Sequence, residues 1–197
     1  MPPHYAITEA FITLAAIWCA WKLFPRGQWM GAVGVLMFGA AAAIGVYRFP
    51  SGQVEELARL HFMAGQLGGL VGMGFIAAEF LRNAVGTAKR SSVMMASLAL
   101  IALCFVVAIL KPALSVPLFL LWSVAAIIGA FASAKGGTKA RVLAGVLVSI
   151  MLLNVIFIRK SPAMSADISW HAFHAITAVW VVIIGVLLLK LAAPKQA

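Results

Sequence analysis

Residues 91–134 read SSVMMASLALIALCFVVAILKPALSVPLFLLWSVAAIIGAFASA, and Lys111 is their single charge. Two apolar runs, 92–110 and 115–134, flank Lys111-Pro112, and each approaches the ~20 residues that a helix needs to cross the hydrocarbon core of a bilayer. Pro112 cannot continue a helix, and the Lys111 stem can lie along lipid while its ammonium reaches water. The segment therefore predicts a tight hairpin of two membrane-spanning helices.

Five further runs of the same kind occupy 5–24, 28–47, 58–81, 141–158 and 170–190. They are separated by turn chemistry: Pro25-Arg26-Gly27, the 49–56 segment with Pro50 and Gly52, residues 87–92, Lys135-Gly136-Gly137, and residues 159–167. Composition agrees. The 197 residues are 64% apolar and 10% charged, against roughly 45–50% and about 25% in soluble domains. A mean hydropathy of +1.06 does not fit inside one water-soluble core, because a chain of this length leaves roughly a third of its unfolded surface exposed. The expected fold is all-α: a polytopic membrane protein, seven transmembrane helices in one bundle spanning 1–197, with no second domain.

Fifteen Lys and Arg face five Asp and Glu, a net charge of +10. In a membrane protein this balance reflects topology, because basic residues hold short connections on the cytoplasmic side. No aromatic-basic stripe of the kind that binds nucleic acid is present. Alternate connections carry ten Lys and Arg on one side and five on the other. The ten-charge side is expected to be cytoplasmic, with the N-terminus outside and the C-terminus inside. A compact, Ala/Gly-rich chain points to a bacterial cytoplasmic membrane. The first span lacks a basic leader and a small-residue cleavage site, its early charge being Glu9, so it is read as a retained helix. Cys19 and Cys104 fall within spans and suggest neither a disulfide framework nor a cysteine metal site.

The same division sorts the polar residues. His4, Glu9, Tyr47, Arg48, Glu55, Glu56, His61, Asp167, Trp170, His171 and His174 all fall at the non-cytoplasmic side, including every histidine and four of the five acids. From His61, steps of four, seven and eleven reach Gly65, Gly68 and Gly72 on one helical face, which a neighbouring helix or a flat ligand can approach. His171 and His174 lie one turn apart on the last span, at a depth matching that of His61. Ionisable groups within spans are costly and tend to mark functional sites. Glu79, three residues before Arg82, reads as an interfacial ion pair, and Asn154 and Gln66 as hydrogen-bonding contacts between helices.

Three readings of the cluster are open. His61, His171 and His174 could coordinate zinc, an arrangement that lowers the pKa of a bound water to about 7. Glu55, Glu56 or Asp167 would then be the general base, and Tyr47, Arg48 and Trp170 would contact the ligand, Arg48 as a planar fork for a phosphate or carboxylate. The substrate would be a lipid ester or amide. Alternatively, His61 with His171 or His174 could grip a b-type haem in an electron-transfer subunit. The third reading is a transporter, sensor or assembly subunit. Membrane lipids are expected partners in all three, along with a homo-oligomer or a partner membrane subunit.

The stretches GVYRFPSGQVEEL (45–57) and DISWHAFH (167–174), set within seven spans, resemble the superfamily of seven-helix membrane hydrolases. That group holds the alkaline ceramidases, the adiponectin-receptor and haemolysin-III proteins and the GPI-lipid remodelling proteins. The resemblance implies a zinc held by three histidines, with an acidic residue and a serine assisting amide hydrolysis. The spacing differs: that family carries His-x-x-x-His in its last span, where this chain has His171-x-x-His174.

Overall fold

The computed structural model describes residues 2–159 and 161–192. Lys160 and Lys195, counted among the cations above, lie outside the described residues. Seven helices account for the fold: α1 (Tyr5–Leu23), α2 (Trp29–Arg48), α3 (Ala58–Ala84), α4 (Arg90–Leu110), α5 (Ser115–Ser133), α6 (Thr138–Leu153, continued by a π-helical turn Asn154–Ile158) and α7 (Ala166–Leu191). All seven are long and apolar enough to cross a bilayer. The chain is an integral membrane protein, and the helices alternate in direction. Its N-terminus thus shares one end with the α2–α3, α4–α5 and α6–α7 connections.

Several helices overrun their apolar stretches. α3 continues to Ala84 and α7 begins at Ala166, because hydropathy marks the hydrocarbon layer whereas caps mark the helix. At α7 the Ser165 hydroxyl accepts the Ile168 N–H, satisfying one of the free amides of the first turn. Between α4 and α5 the turn is a single 3-10 turn, Pro112–Leu114.

α1, α2, α3, α5, α6 and α7 pack as a closed ring in that order, and α4 lies outside it against α3. In lipid both faces of a helix are apolar, so residue size rather than polarity separates inside from outside. On α1 the inward face is Ile12, Ala16, Cys19 and Ala20, and the outward face Ile7, Phe11, Leu14, Trp18 and Trp21. α2 and α3 approach most closely at Gly34 and Gly72. A Cβ on either would lie 2.8 Å from the carbonyl oxygen of the other. Cys19 and Cys104 are buried and free.

Glu79 pairs with Arg82 as expected from their spacing, and it does so fully buried within the bundle. Its Oε1 accepts Arg82 Nε at 2.7 Å and its Oε2 accepts the Gly31 N–H at 3.1 Å. Gly31 is in the first turn of α2, whose Gln28 cap offers no side-chain bond, so α3 supplies the cap that α2 lacks. Arg82 also donates to the Gly27 carbonyl, tying the α1–α2 turn to α3.

Candidate functional site

At the other end of the bundle, three ring helices each send one ionisable side chain inward to a common point. Glu9 of α1 is 1% exposed. Its Oε1 lies 3.1 Å from Nε2 of His61 on α3 and 3.4 Å from Nε2 of His174 on α7. α2 makes the room: a Cβ at Gly45 would sit 2.6 Å from that same oxygen. Gly45→Ala is accordingly expected to push the carboxylate off its partners or part α1 from α2. The overpacking cost is about 1–3 kcal/mol, read as a lower thermal midpoint in detergent, and an unchanged midpoint would contradict this packing.

The hydrogen-bond partners fix the protons. Arg48, at the end of α2, places Nη1 3.1 Å from His61 Nδ1, and a guanidinium only donates. His61 Nδ1 is therefore the acceptor, and the ring proton is on Nε2, facing Glu9. His174 Nδ1 lies 2.7 Å from the Trp170 carbonyl, which only accepts, so Nδ1 carries the proton. A neutral His174 then turns an Nε2 lone pair toward a carboxylate oxygen. Two acceptors at that distance repel unless a proton sits on one of them. Neither imidazole aims squarely at Oε1, which has no directed hydrogen bond.

The centre forms the polar head of a cavity of about 710 Å³. Tyr5, Arg48, Trp170 and Arg159 complete its polar rim, and Ile12, Phe38, Phe62, Phe119, Met151 and Phe173 line the rest. Trp170 stacks on Tyr5 at 5.0 Å and on His174 at 4.2 Å between ring centroids, which fixes both rings. Desolvation lowers the pKa of Arg159, whose guanidinium lies 5.7 Å over the Phe173 ring and stays charged. Asn154, in the π-helical turn, is buried and donates to the Phe173 carbonyl at 2.9 Å and to Thr177 Oγ1 at 3.1 Å, holding α6 to α7. Gln66 faces the cavity.

The candidates named from sequence divide. His61, His174, Arg48 and Trp170 meet in the cavity. His171 does not join them: its Nδ1 lies 3.3 Å from Thr8 Oγ1, and its ring packs against His4 and Tyr5. Tyr47 points outward and is 58% exposed, because successive helix residues are turned ~100° apart and Arg48 takes the inward direction. Glu55 and Glu56 are exposed on the α2–α3 connection and line no part of the cavity. Asp167 accepts the Tyr5 hydroxyl and acts as its anchor. Tyr5, Thr8 and Glu9 were not among the expected site residues. A lone acid within an apolar span was the available signal for Glu9.

Zinc held by three histidines does not fit these residues. His171 is elsewhere, its Nδ1 facing Thr8, so only two of the three histidines meet. Among the described residues no group of three or more His, Cys, Asp and Glu side chains is arranged to hold a metal ion. A haem between His61 and His174 would need its iron where Glu9 Oε1 stands. Of the glycine face below His61, Gly68 and Gly72 are taken by α2, a Cβ at Gly68 meeting the Met37 carbonyl oxygen at 2.9 Å, whereas Gly65 lines the cavity with nothing within 4 Å. Compared with known proteins, the chain matches no family model, no curated protein and no solved structure.

Proposed function

We propose that this membrane protein admits a lipid-like amphiphile to the ring cavity and hydrolyses an ester or amide bond in its polar part, with Glu9 and His174 as a shared general base and acid. The observation that carries the reading is a buried carboxylate–imidazole pair, its Glu9 Oε1 short of a directed hydrogen bond, at the polar end of a largely apolar cavity. An acyl chain fits the phenylalanine- and methionine-lined part, and the carbonyl would then stand near Glu9. There the pair removes a proton from water, the hydroxide oxygen bonds to the carbonyl carbon, the C–O or C–N bond breaks, and the leaving oxygen or nitrogen takes the proton back. His61, held by Arg48, fixes the carboxylate. The bias of Lys and Arg supports an orientation with the cavity and N-terminus outside and the C-terminus in the cytoplasm, in a bacterial cytoplasmic membrane.

The test is turnover of fluorescent ceramide and fluorescent phosphatidylcholine by the purified protein in nanodiscs. Product release is expected from wild type and to be lost in His174→Ala. Treatment with EDTA is expected to leave the rate unchanged, since no step uses a metal. Loss of activity on chelation, restored by zinc, would overturn the metal-free scheme. Retention of a lipid in native mass spectra without any turnover would leave a binding protein and reject the hydrolase.

A further inference from the structure

The opposite end of the bundle holds a second cavity, of about 300 Å³, between the α1–α2 turn, the end of α3, the start of α4, the end of α5 and the end of α7. Arg26, Arg82, Arg90 and Lys135 line it. Glu79 is the one acidic residue at this end of the chain, the other four being Glu9, Glu55, Glu56 and Asp167 at the far end. Glu79 is fully engaged with Arg82 and the Gly31 amide. The remaining polar lining is also satisfied: Asn83 donates to Gln28 and to the Glu79 carbonyl, and Ser133 to the Ala130 carbonyl. Among the described residues, Arg26, Arg90 and Lys135 have no ion pair, and all three are exposed. Three cations thus converge on a concavity with no acidic side chain left to neutralise them, at helix ends, where the phosphates of a bilayer lie.

We propose that this cavity binds a phosphate group, presented by an anionic phospholipid headgroup or as the free ion. The two arginines offer planar forks that match phosphate oxygens, and Lys135 adds a point charge. Basic pockets between spanning helices are a recurrent means of holding anionic headgroups.

The experiment compares thermal midpoints of the full chain in phosphatidylcholine nanodiscs with and without phosphatidylglycerol, and separately with inorganic phosphate against chloride at matched ionic strength. Arg26→Gln/Arg90→Gln/Lys135→Gln is set beside a control that removes equal charge from the same end outside the cavity, Lys22→Gln/Lys139→Gln/Arg141→Gln. The expected result is stabilisation of wild type and control by one or both anions, with affinity falling about fivefold per cavity cation removed. Response to phosphatidylglycerol alone assigns the headgroup, and response to both assigns the phosphate as sufficient. If the triple variant folds poorly, Arg90→Gln alone must show the fivefold loss. Equal losses in cavity and control variants, an undiminished response in the cavity variants, or no response of wild type to either anion would overturn the proposal.

Discussion

Glu9→Gln is expected to lower turnover of the bound amphiphile by about 10²–10⁴-fold, the usual range for losing a positioned general base, while substrate binding persists. The side chain keeps its shape, so Gly45 still accommodates it, although His61 Nε2 and His174 Nε2 both face the one Oε1 position, where an amide places either its oxygen or its NH2. What disappears is the basic site that faces the His174 lone pair. An amide at that position cannot receive a proton from water. The comparison variant is Glu9→Leu, which removes both the acceptor and the buried charge. It leaves the His61 Nε2–H without the carboxylate it faces, and stranding one partner of a buried polar pair is destabilising, so its thermal midpoint should fall below that of wild type as activity is lost. Wild-type rates in Glu9→Gln would remove Glu9 from the chemistry and leave it a purely structural role.

The other large effect belongs to the opposite end. Arg82→Ala leaves Glu79 fully buried with its charge uncompensated, a change that typically costs about 3–5 kcal/mol. The lost guanidinium also releases the Gly27 carbonyl. Reversible unfolding in mixed micelles should register this as the most damaging single change at that end. Glu79→Leu/Arg82→Leu should recover much of the loss, since no stranded charge remains, although the Gly31 amide still lacks its cap. A double variant no better than Arg82→Ala would mean that the cap, rather than the ion pair, dominates. Arg82→Lys should fall between, because an ammonium cannot bridge Glu79 and Gly27 with a planar fork.

How much of this was legible beforehand follows from the range of each interaction. Span number and alternation are properties of continuous stretches of about twenty residues, which is why Lys111-Pro112 sufficed to separate α4 from α5. That count also places His61 and His174 at one end, since three helices intervene between α3 and α7. Direction within a helix is harder. Tyr47 and Arg48 are adjacent, and only packing against the α2–α3 connection, where Arg48 Nε reaches the Val54 carbonyl at 2.7 Å, decides which turns inward. His171 and His174 share a face in the sequence pattern, yet α1 takes one through Thr8 and the other through Glu9. Glu9 itself is 52 and 165 positions from its two partners, beyond any local pattern. From sequence it stood out only as an acid at the non-cytoplasmic end of the first span. The opposing gap at Gly45 belongs to a second helix, so carboxylate and cradle become one feature only after α1 and α2 are packed.

The wide turn at Asn154–Ile158 bears on how α6 tolerates changes in chain length. A π-helical turn accommodates one residue more than the regular helix would, so the segments on either side keep their facing despite the surplus. Shortening the chain by one residue inside that turn would restore an uninterrupted α-helix with Val148 still toward Trp180 and Arg159 still at the rim. The same loss a few residues earlier would swing everything beyond it by about 100°, turning Asn154 away from α7. α6 thus carries its own slack beside the cavity, confined to the five residues Asn154–Ile158, where a one-residue deletion would do least to the wall they help form.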